Sequence, residues 1–332
     1  MTSPIRYGLL GASQIARNAH ILGIRGALTN SRLLGIASRG AAKATAWAGE
    51  FGIPRPYGSY EDLLADPEID AVLISLPVHA HAEWVIKAAA AGKHVLCEKP
   101  MASSVTELEA MIVAAHTHGV VVMEAFSHRF PPHLPYVKEL IDRGEIGAVK
   151  LVRAEVIYPT TDWANDSRAN PDLGGCVTVE CGCYAANTLL YFLGDDPVEV
   201  SAYATRRQPC NVDATVTGIL RFPGGRLGQI TASMETRFRA CAEIIGDGGR
   251  IEMPNLFTGR EVRVLRLGRP DAEVISFDVE DRFVTQIRHF SDCLLNGTPP
   301  RVSLDESLAT TRLLMRLKAA SSGDRSPVPV ST

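Results

Sequence analysis

Short apolar runs alternate with longer amphipathic stretches over residues 5–123. The predicted strands are Ile5–Leu10, Arg32–Ala37, Ala71–Ser75, His94–Cys97 and Val120–Met123. Helices are predicted to begin near Gln14, Ala41, His79 and Val105. In the third of these, apolar side chains recur at the i, i+3, i+4 and i+7 spacing of a helix face that packs on a sheet. This alternation is typical of βαβ units around a parallel sheet.

After Met123 the pattern changes to longer strands rich in threonine and valine. These are Val149–Tyr158, Val198–Thr205, Thr215–Phe222, Leu227–Met234 and Val262–Leu267, with turn residues between them that favour antiparallel hairpins. Helices are predicted over Pro131–Gly144, Glu180–Leu193, Phe283–Leu295 and Leu304–Ser321, and a frayed tail over Asp324–Thr332. We therefore predict an α/β chain with two domains, residues 1–124 around a parallel sheet and residues 125–332 around a large, mostly antiparallel open sheet.

Composition excludes several classes of protein. A hydrophobic content of 46% and a net charge of −3 over 332 residues are ordinary for a globular protein, so neither a nucleic acid nor a membrane is expected as a partner. Seven scattered cysteines do not resemble a disulfide framework, and the N-terminus resembles no signal peptide, so a cytoplasmic location is predicted. No Asp or Glu precedes Glu50, whereas six basic residues do, which favours an anionic ligand there.

The first predicted strand runs into a loop that resembles a dinucleotide-binding turn. Gly11 takes the tight-turn position and Ala16 the helix-packing position, while Ser13 stands where the second glycine usually lies. Such loops present backbone N–H groups to a pyrophosphate at a helix N-terminus. We therefore predict a Rossmann domain whose nucleotide contacts include Gly11, Ser13, Gln14 and Ile15; a structural turn without a ligand is the alternative.

The end of the second strand bears on the choice of cofactor. An acidic residue there would bind the ribose 2′-hydroxyl of NAD, but the chain has Ser38 and Arg39 instead. A hydroxyl and a guanidinium suit a 2′-phosphate. The sequence thus predicts NADP over NAD, the alternative being that Arg39 is only a solvated residue at a helix start.

Two further motifs carry candidate chemistry. Glu98, Lys99 and Pro100 follow the fourth strand, and ligands of open α/β sheets bind outside such strand ends, although a surface lysine is the simpler explanation. In the second domain, a glycine-bearing loop leads to Glu180 and Tyr184, which are four residues apart and share one face of the predicted helix. Glu180 also suits the N-terminus of a helix on electrostatic grounds alone.

With these motifs in this order, nearly the whole chain resembles the Gfo/Idh/MocA family of oxidoreductases. The matching segments are 7–16, 60–64, 69–72, 94–100, 123–126, 144–147 and 174–184. The loop at 11–16 and the strand at 123–126 are most similar to the branch with NADP-dependent D-xylose dehydrogenases and dimeric dihydrodiol dehydrogenases. That branch usually has an aspartate where Glu180 stands and often a glycine where Cys176 stands, and this chain departs from it at both positions.

The resemblance implies roles for particular residues. Lys99 and Tyr184 would be the catalytic pair, with Lys99 stabilising the phenolate that an acid/base tyrosine needs, and Glu180 would orient the lysine or the substrate hydroxyls. The implied cofactor contacts also include Leu76, His81, Glu98 and Lys99.

Substrate contacts are expected from His128, Arg129, Trp163 and Arg168, with interdomain packing an equal alternative for the first two. No metal is expected, because His79 and His81 have no carboxylate or cysteine partner nearby in sequence.

The function predicted is hydride transfer between NADP and a sugar or related cyclic polyol, by a homodimer or homotetramer formed through the open sheet. Two alternatives remain at this stage. One is a non-catalytic NADP-sensing regulatory protein of the same fold, and the other is an NAD-dependent glycosidase of the same superfamily.

Overall fold

A six-stranded, wholly parallel sheet forms the first half of the chain. The computed structural model describes residues 3–27, 29–194, 196–208 and 210–322. The strands are β1 Ile5–Leu10, β2 Ser31–Ala37, β3 Arg55–Tyr57, β4 Ala71–Ile74, β5 His94–Cys97 and β6 Val122–Glu124. Their order, β3-β2-β1-β4-β5-β6, reverses direction between β1 and β4, which is where such sheets bind dinucleotides. The predicted α/β fold class is confirmed.

The helices of this half are α1 Ile21–Gly26, α2 Ala41–Phe51, α3 Tyr60–Ala65, α4 His81–Ala90 and α5 Val105–His118. Helical backbone begins at Gln14, as predicted, and passes through a π-helical segment, Ala16–His20, into α1. The helix predicted near His79 begins as a single 3₁₀ turn before α4. The sequence pattern missed β3 and α3, because a three-residue strand containing proline and a six-residue helix are too short to show a period.

An eight-stranded sheet forms the second half. Its strands are β7 Val149–Ile157, β8 Glu199–Arg207, β9 Val212–Arg221, β10 Leu227–Ser233, β11 Arg239–Gly246, β12 Gly249–Met253, β13 Glu261–Arg266 and β14 Glu273–Ser276. Only the β7 and β10 pair is parallel; the other neighbours are antiparallel, as predicted. The analysis of the sequence missed β11, β12 and β14, which carry charged residues on their open side.

Helices cover one face of this sheet and leave the other open. They are α6 His133–Asp142, α7 Val177–Glu180, α8 Gly182–Leu193 and α10 Leu304–Ser322, whereas α9 Arg282–Asn296 lies against the first half of the chain. The predicted helix over Glu180–Leu193 in fact starts at Val177 and is interrupted at Cys181. α8 packs closely on β10, where a Cβ on Gly228 would lie 2.6 Å from a methyl carbon of Leu189.

The last two helices return to the first half of the chain. α9 packs on α1, where a Cβ on Gly26 would lie 2.4 Å from Val284, and Ser291 shares a 2.7 Å hydrogen bond with the buried Tyr7 hydroxyl. α10 packs on α5 and β6. The two halves therefore share contacts well beyond the chain crossing near Glu124, and the boundary at 124/125 stays a prediction. The predicted tail, Asp324–Thr332, lies outside the described residues.

Candidate active site

The loop after β1 shows why Gly11 is required. Gly11 has a φ of +103°, and a Cβ there would lie 2.8 Å from Leu76 and 2.9 Å from the carbonyl oxygen of Ser75. Ser13 accepts a hydrogen bond from the backbone N–H of Ala16 at 3.2 Å, so it caps the helical segment that follows. Gln14 and Ile15 are exposed in its first turn. These residues form the predicted tight turn and helix start, and their contact with a cofactor phosphate stays a prediction.

A cavity of about 320 Å³ adjoins this turn at the carboxyl ends of β1, β2 and β4. Ser38 and Arg39 line it as predicted, and so does Lys43, which the analysis of the sequence did not select. The Ser38 hydroxyl donates to the carbonyl oxygen of Gly40 at 2.7 Å, so its proton is already engaged. Arg17 is paired with Glu50 instead of facing the cavity. The signal for Lys43 was its position four residues after Arg39 in the acid-free segment.

Lys99 meets the second-domain motif at the end of β5. Its ammonium group donates to Glu180 Oε2 at 2.9 Å and to the Glu180 carbonyl oxygen at 3.0 Å. The two side chains are only 13% and 12% exposed. Burial is the largest single influence and disfavours the charged ammonium, but Glu180, together with Tyr184, Cys183 and Glu98, outweighs it and raises the pKa of Lys99 well above its usual value. Lys99 is therefore a fixed positive charge.

Tyr184 lies beside this ion pair. The Lys99 ammonium is 5.3 Å from the centroid of the Tyr184 ring, which also contacts the rings of Phe126, His128 and Phe257. Burial among these groups raises the pKa of the Tyr184 phenol above its usual range, and Lys99 offsets this effect only in part. The phenol is therefore protonated at neutral pH, as a proton donor must be.

Glu98 and His81 hold the strand ends around Lys99. Glu98 Oε1 lies 2.8 Å from His20 Nε2, and Glu98 Oε2 accepts the backbone N–H of Lys99 at 3.0 Å. The His81 ring contacts the carbonyl oxygens of Pro100 at 2.9 Å and Leu76 at 2.8 Å. Both side chains are buried, so they fix the loops after β4 and β5 relative to each other. Leu76 itself lines the cavity. Cofactor contact by His81 and Glu98 stays a prediction.

His128 and Arg129 are both interior. His128 has no exposed surface, and its ring packs 5.2 Å from that of Tyr184. The Arg129 guanidinium donates to Asn187 Oδ1 at 3.2 Å and Glu306 Oε1 at 3.1 Å. These contacts match the packing alternative given for both residues, and their contact with substrate stays a prediction.

The predicted loop residues Trp163 and Arg168 lie on the second-domain side. Trp163 is half-buried beneath the Arg207 guanidinium, at 4.8 Å. Arg168 donates to both oxygens of Asp166 and lies 5.3 Å from the Tyr158 ring centroid. The structure therefore does not leave Arg168 as an unpaired cation, and its substrate contact also stays a prediction.

Four aromatic rings, here called the aromatic wall, extend from Tyr184 to the surface. Tyr184 packs on Phe257 at 4.9 Å, Phe257 on Phe238 at 6.1 Å, and Phe238 on Tyr158 at 5.6 Å. Phe238 and Tyr158 are 42% and 49% exposed. Arg282 lies 5.0 Å from the Phe257 ring and donates to Ser127. No local sequence signal predicts this aromatic wall, because its four rings come from separate segments of the chain.

The described residues have neither a metal-binding cluster nor a membrane-spanning helix. They contain no group of three His, Cys, Asp or Glu side chains placed to hold a metal ion. None of their helices is both long and apolar enough to cross a membrane. Cys181 and Cys183 are buried, as expected of packing residues.

The fold and the site define an oxidoreductase with a dinucleotide-binding domain, and comparison with known proteins identifies the family. The Gfo/Idh/MocA model, described as an oxidoreductase family with an NAD-binding Rossmann fold, matches residues 5–126. The model of that family's C-terminal domain matches residues 135–252. The chain belongs to the Gfo/Idh/MocA oxidoreductase family, as its motifs predicted.

Two relatives and one solved structure illustrate the similarity. A D-xylose 1-dehydrogenase (NADP(+)) from Haloferax volcanii is 35% identical over 93% of this chain and 94% of its own. A trans-1,2-dihydrobenzene-1,2-diol dehydrogenase from Mus musculus is 29% identical over 95% and 96%. A 3-ketoreductase from Actinomadura kijaniata, solved with NADP and TDP-benzene, has a TM-score of 0.89 at 29% identity and covers 96% of this chain and 98% of its own.

Proposed function

We propose that this protein is an NADP-dependent dehydrogenase or reductase of a sugar or related cyclic polyol, in which Tyr184 is the acid/base and Lys99 its electrostatic partner. NADP, when bound, supplies or accepts the hydride. The observation that carries the proposal is the meeting of Lys99, Glu180 and Tyr184 at the end of β5, beside a cavity built for a nucleotide. The named activities of the relatives support the same class of reaction.

In the reductive direction, the Tyr184 hydroxyl donates its proton to the substrate oxygen as that oxygen gains negative charge. The phenolate left behind is stabilised by the Lys99 ammonium, whose position Glu180 fixes through two hydrogen bonds. In the oxidative direction, the phenolate takes the proton from the substrate hydroxyl. Lys99 keeps its own proton in both directions, because its pKa is raised well above the usual value.

The cofactor assignment is supported by two cations at one side of the cavity. Arg39 precedes α2, and Lys43 lies in its first turn, four residues later. Both side chains are exposed, and like charges at this spacing repel unless an anion lies between them. A 2′-phosphate supplies that anion. The Ser38 hydroxyl already donates its proton to the Gly40 carbonyl oxygen, so it offers a phosphate only lone pairs, which do not favour binding an anion. We therefore assign the charge recognition to Arg39 and Lys43.

The aromatic wall supports a ring-shaped substrate. The C–H faces of a sugar or cyclic diol pack well on aromatic side chains, and Phe238 and Tyr158 present such surface, connected to Tyr184 through Phe257. The relatives are named for D-xylose, a dihydrobenzenediol and, in the structure, a keto group. D-xylose and the dihydrobenzenediol each pair a ring with an oxidisable hydroxyl group.

The open sheet face supports self-association. Tyr203, Ile219 and Leu227 are 64%, 61% and 41% exposed on adjoining strands of that face. Exposed apolar residues on a broad sheet face are typical of a covered interface. We propose that a second copy of this chain covers it, in a homodimer or homotetramer.

Activity assays with Tyr184→Phe test the function directly. Purified protein is incubated with NADP and a panel of aldoses and cyclic diols, or with NADPH and keto-sugars, and absorbance at 340 nm is followed. The wild type should turn over at least one substrate, and Tyr184→Phe should lower kcat by about 10²–10⁴-fold, because a positioned proton donor contributes that much. Near-normal turnover by the variant would contradict the acid/base assignment.

The same assay separates the two alternative functions. Cofactor binding without turnover on any substrate would indicate a sensing protein, and release of sugar from glycosides without net NADPH would indicate a glycosidase. Cofactor affinity of Tyr184→Phe, measured by NADPH fluorescence, controls for misfolding.

A further inference from the structure

Glu124 is a third acidic residue near Lys99, in addition to Glu98 and Glu180. Glu124 ends β6 and is paired in register with Cys97, the last residue of β5. It is 2% exposed, and its Oε1 accepts the backbone N–H of Met101 at 2.9 Å. Its Oε2 has no hydrogen-bond partner within 3.5 Å among the described residues. A buried carboxyl thus anchors the turn that carries Lys99 and Pro100.

Burial disfavours a negative charge on Glu124, although Ser307, the Met101 N–H and Lys99 each favour one. β5 and the turn after it contribute Cys97, Glu98 and Lys99, and α8 contributes Cys183. From α10, Ser307 faces the carboxyl group. Lys99 is the one cation in this set, and its ammonium group is bonded to Glu180. Burial is therefore the largest influence on Glu124, and it raises the pKa of this carboxyl to about 7.

We propose that Glu124 is a positioning residue for Lys99. In its uncharged form, it fixes the turn between Lys99 and Met101. This inference rests on the proposed role of Lys99. An uncharged carboxyl accepts the Met101 N–H without competing for the ammonium. An ionised Glu124 adds a further negative charge behind Lys99. That charge draws the ammonium away from Tyr184, and it also repels the Glu98 carboxylate.

The sign of the pH effect follows from the raised pKa. The carboxyl is uncharged below about pH 7 and ionised above it. The Tyr184 phenol stays protonated through this range, so it does not limit the reductive reaction there. We therefore expect kcat for NADPH-dependent reduction to fall as the pH rises through about 7, and the fall to come from Glu124.

Glu124→Gln tests this expectation, since the amide keeps a carbonyl oxygen for Met101 and cannot ionise. The variant should keep kcat within about twofold at pH 6 and lose the decline above pH 7. Glu124→Ala removes the anchor, and kcat should fall about 10- to 100-fold at all pH values, as expected of a misplaced catalytic group. Affinity for NADPH, measured by fluorescence, should change little in either variant.

Glu107→Gln is the matched control. Glu107 also accepts a backbone N–H, that of Ser103 in the same loop, but it lies at the half-buried start of α5. Its variant should keep the wild-type pH profile. A decline near pH 7 that persists in Glu124→Gln would overturn the proposal, and so would equal damage by Gln and Ala at pH 6.

The result is separable from the proposed function. If Tyr184→Phe abolishes turnover while Glu124→Gln keeps the wild-type pH profile, only the role of Glu124 fails. If Tyr184→Phe retains normal turnover, the proposed acid/base mechanism itself fails. Should Glu124→Ala not fold, the pH profile of Glu124→Gln still decides.

Discussion

At the scale of single residues, the Glu180 carboxylate holds the Lys99 ammonium in place. Glu180 binds the Lys99 ammonium through its carboxylate and its own backbone carbonyl, and this fixes the lysine beside the Tyr184 ring. The relatives named above act on different substrates, and the side chains around this pair are where specificity must arise. The extra methylene of Glu180, compared with the aspartate usual in the resembling branch, is used to reach the lysine.

Lys43→Gln should weaken NADPH binding about 10- to 100-fold, because a charge-assisted contact to phosphate contributes about 1.5–3 kcal/mol. NADH binding should be unchanged, since NADH has no 2′-phosphate. Both dissociation constants are measured by nicotinamide fluorescence, and 2′,5′-ADP against 5′-AMP repeats the comparison without the nicotinamide.

Arg25→Gln is the control for this prediction. It removes another exposed cation from the acid-free segment, at a position that does not line the cavity. Equal losses of NADPH and NADH affinity in Lys43→Gln would show that the lysine does not read the 2′-phosphate.

At the scale of elements, a close backbone contact at Gly175 shapes the loop from which a substrate contact is predicted. A Cβ on Gly175 would lie 2.5 Å from the carbonyl oxygens of both Ser167 and Arg168. The glycine thus lets the loop that carries Arg168 pack directly against the start of α7. The analysis of the sequence recognised a glycine-bearing loop there, but only the fold shows that it touches the preceding loop.

Gly175→Ala should displace this loop and destabilise the protein by about 1–3 kcal/mol, as overpacking against rigid backbone does. The KM for the sugar substrate should rise, whereas the dissociation constant of NADPH should not, because the nucleotide cavity is on the other domain. Thermal unfolding and steady-state kinetics measure the two effects.

Gly49→Ala provides the contrast. A Cβ at this position in α2 has no atom within 4 Å, so alanine should be neutral or stabilise the helix by about 0.5–1 kcal/mol. If Gly175→Ala is equally harmless, the proposed close packing of the loop is wrong.

At the scale of the whole molecule, two features follow from how the chain is wound. The C-terminal helices α9 and α10 return to the nucleotide-binding half, so the two halves are tied at both ends of the site. The hydrogen bond between Tyr7 of β1 and Ser291 of α9 is part of this link. The large sheet is left with one face covered by helices and one face open.

Ile219→Glu should dissociate the assembly that we propose on this open face, because it buries a charge in an apolar interface. Light scattering coupled to size-exclusion chromatography should show a smaller particle than the wild type. Val113→Glu, at a 63% exposed position on α5, should leave the size unchanged. A wild-type protein that is monomeric at micromolar concentration would refute the proposed interface.

Local signals in the sequence predicted most of the strands and helices, together with the tight turn at Gly11. These features depend on hydrophobic period and on backbone conformation, which neighbouring residues set. Ser38 and Arg39 after β2, where no acidic residue stands, likewise predicted NADP, because charge near a strand end acts over a few residues. Motif order then identified the family.

The contacts that define the site depend on tertiary packing, and no local pattern in the sequence predicts them. Tertiary packing paired Lys99 with Glu180 across 81 positions, buried His128 beneath Tyr184, and brought Phe257 and Arg282 to the same ring. It also closed Glu124 behind Lys99. Hydrophobic period and local charge indicate that a residue is buried or lies at a strand end, but the partner it meets there depends on how distant elements pack.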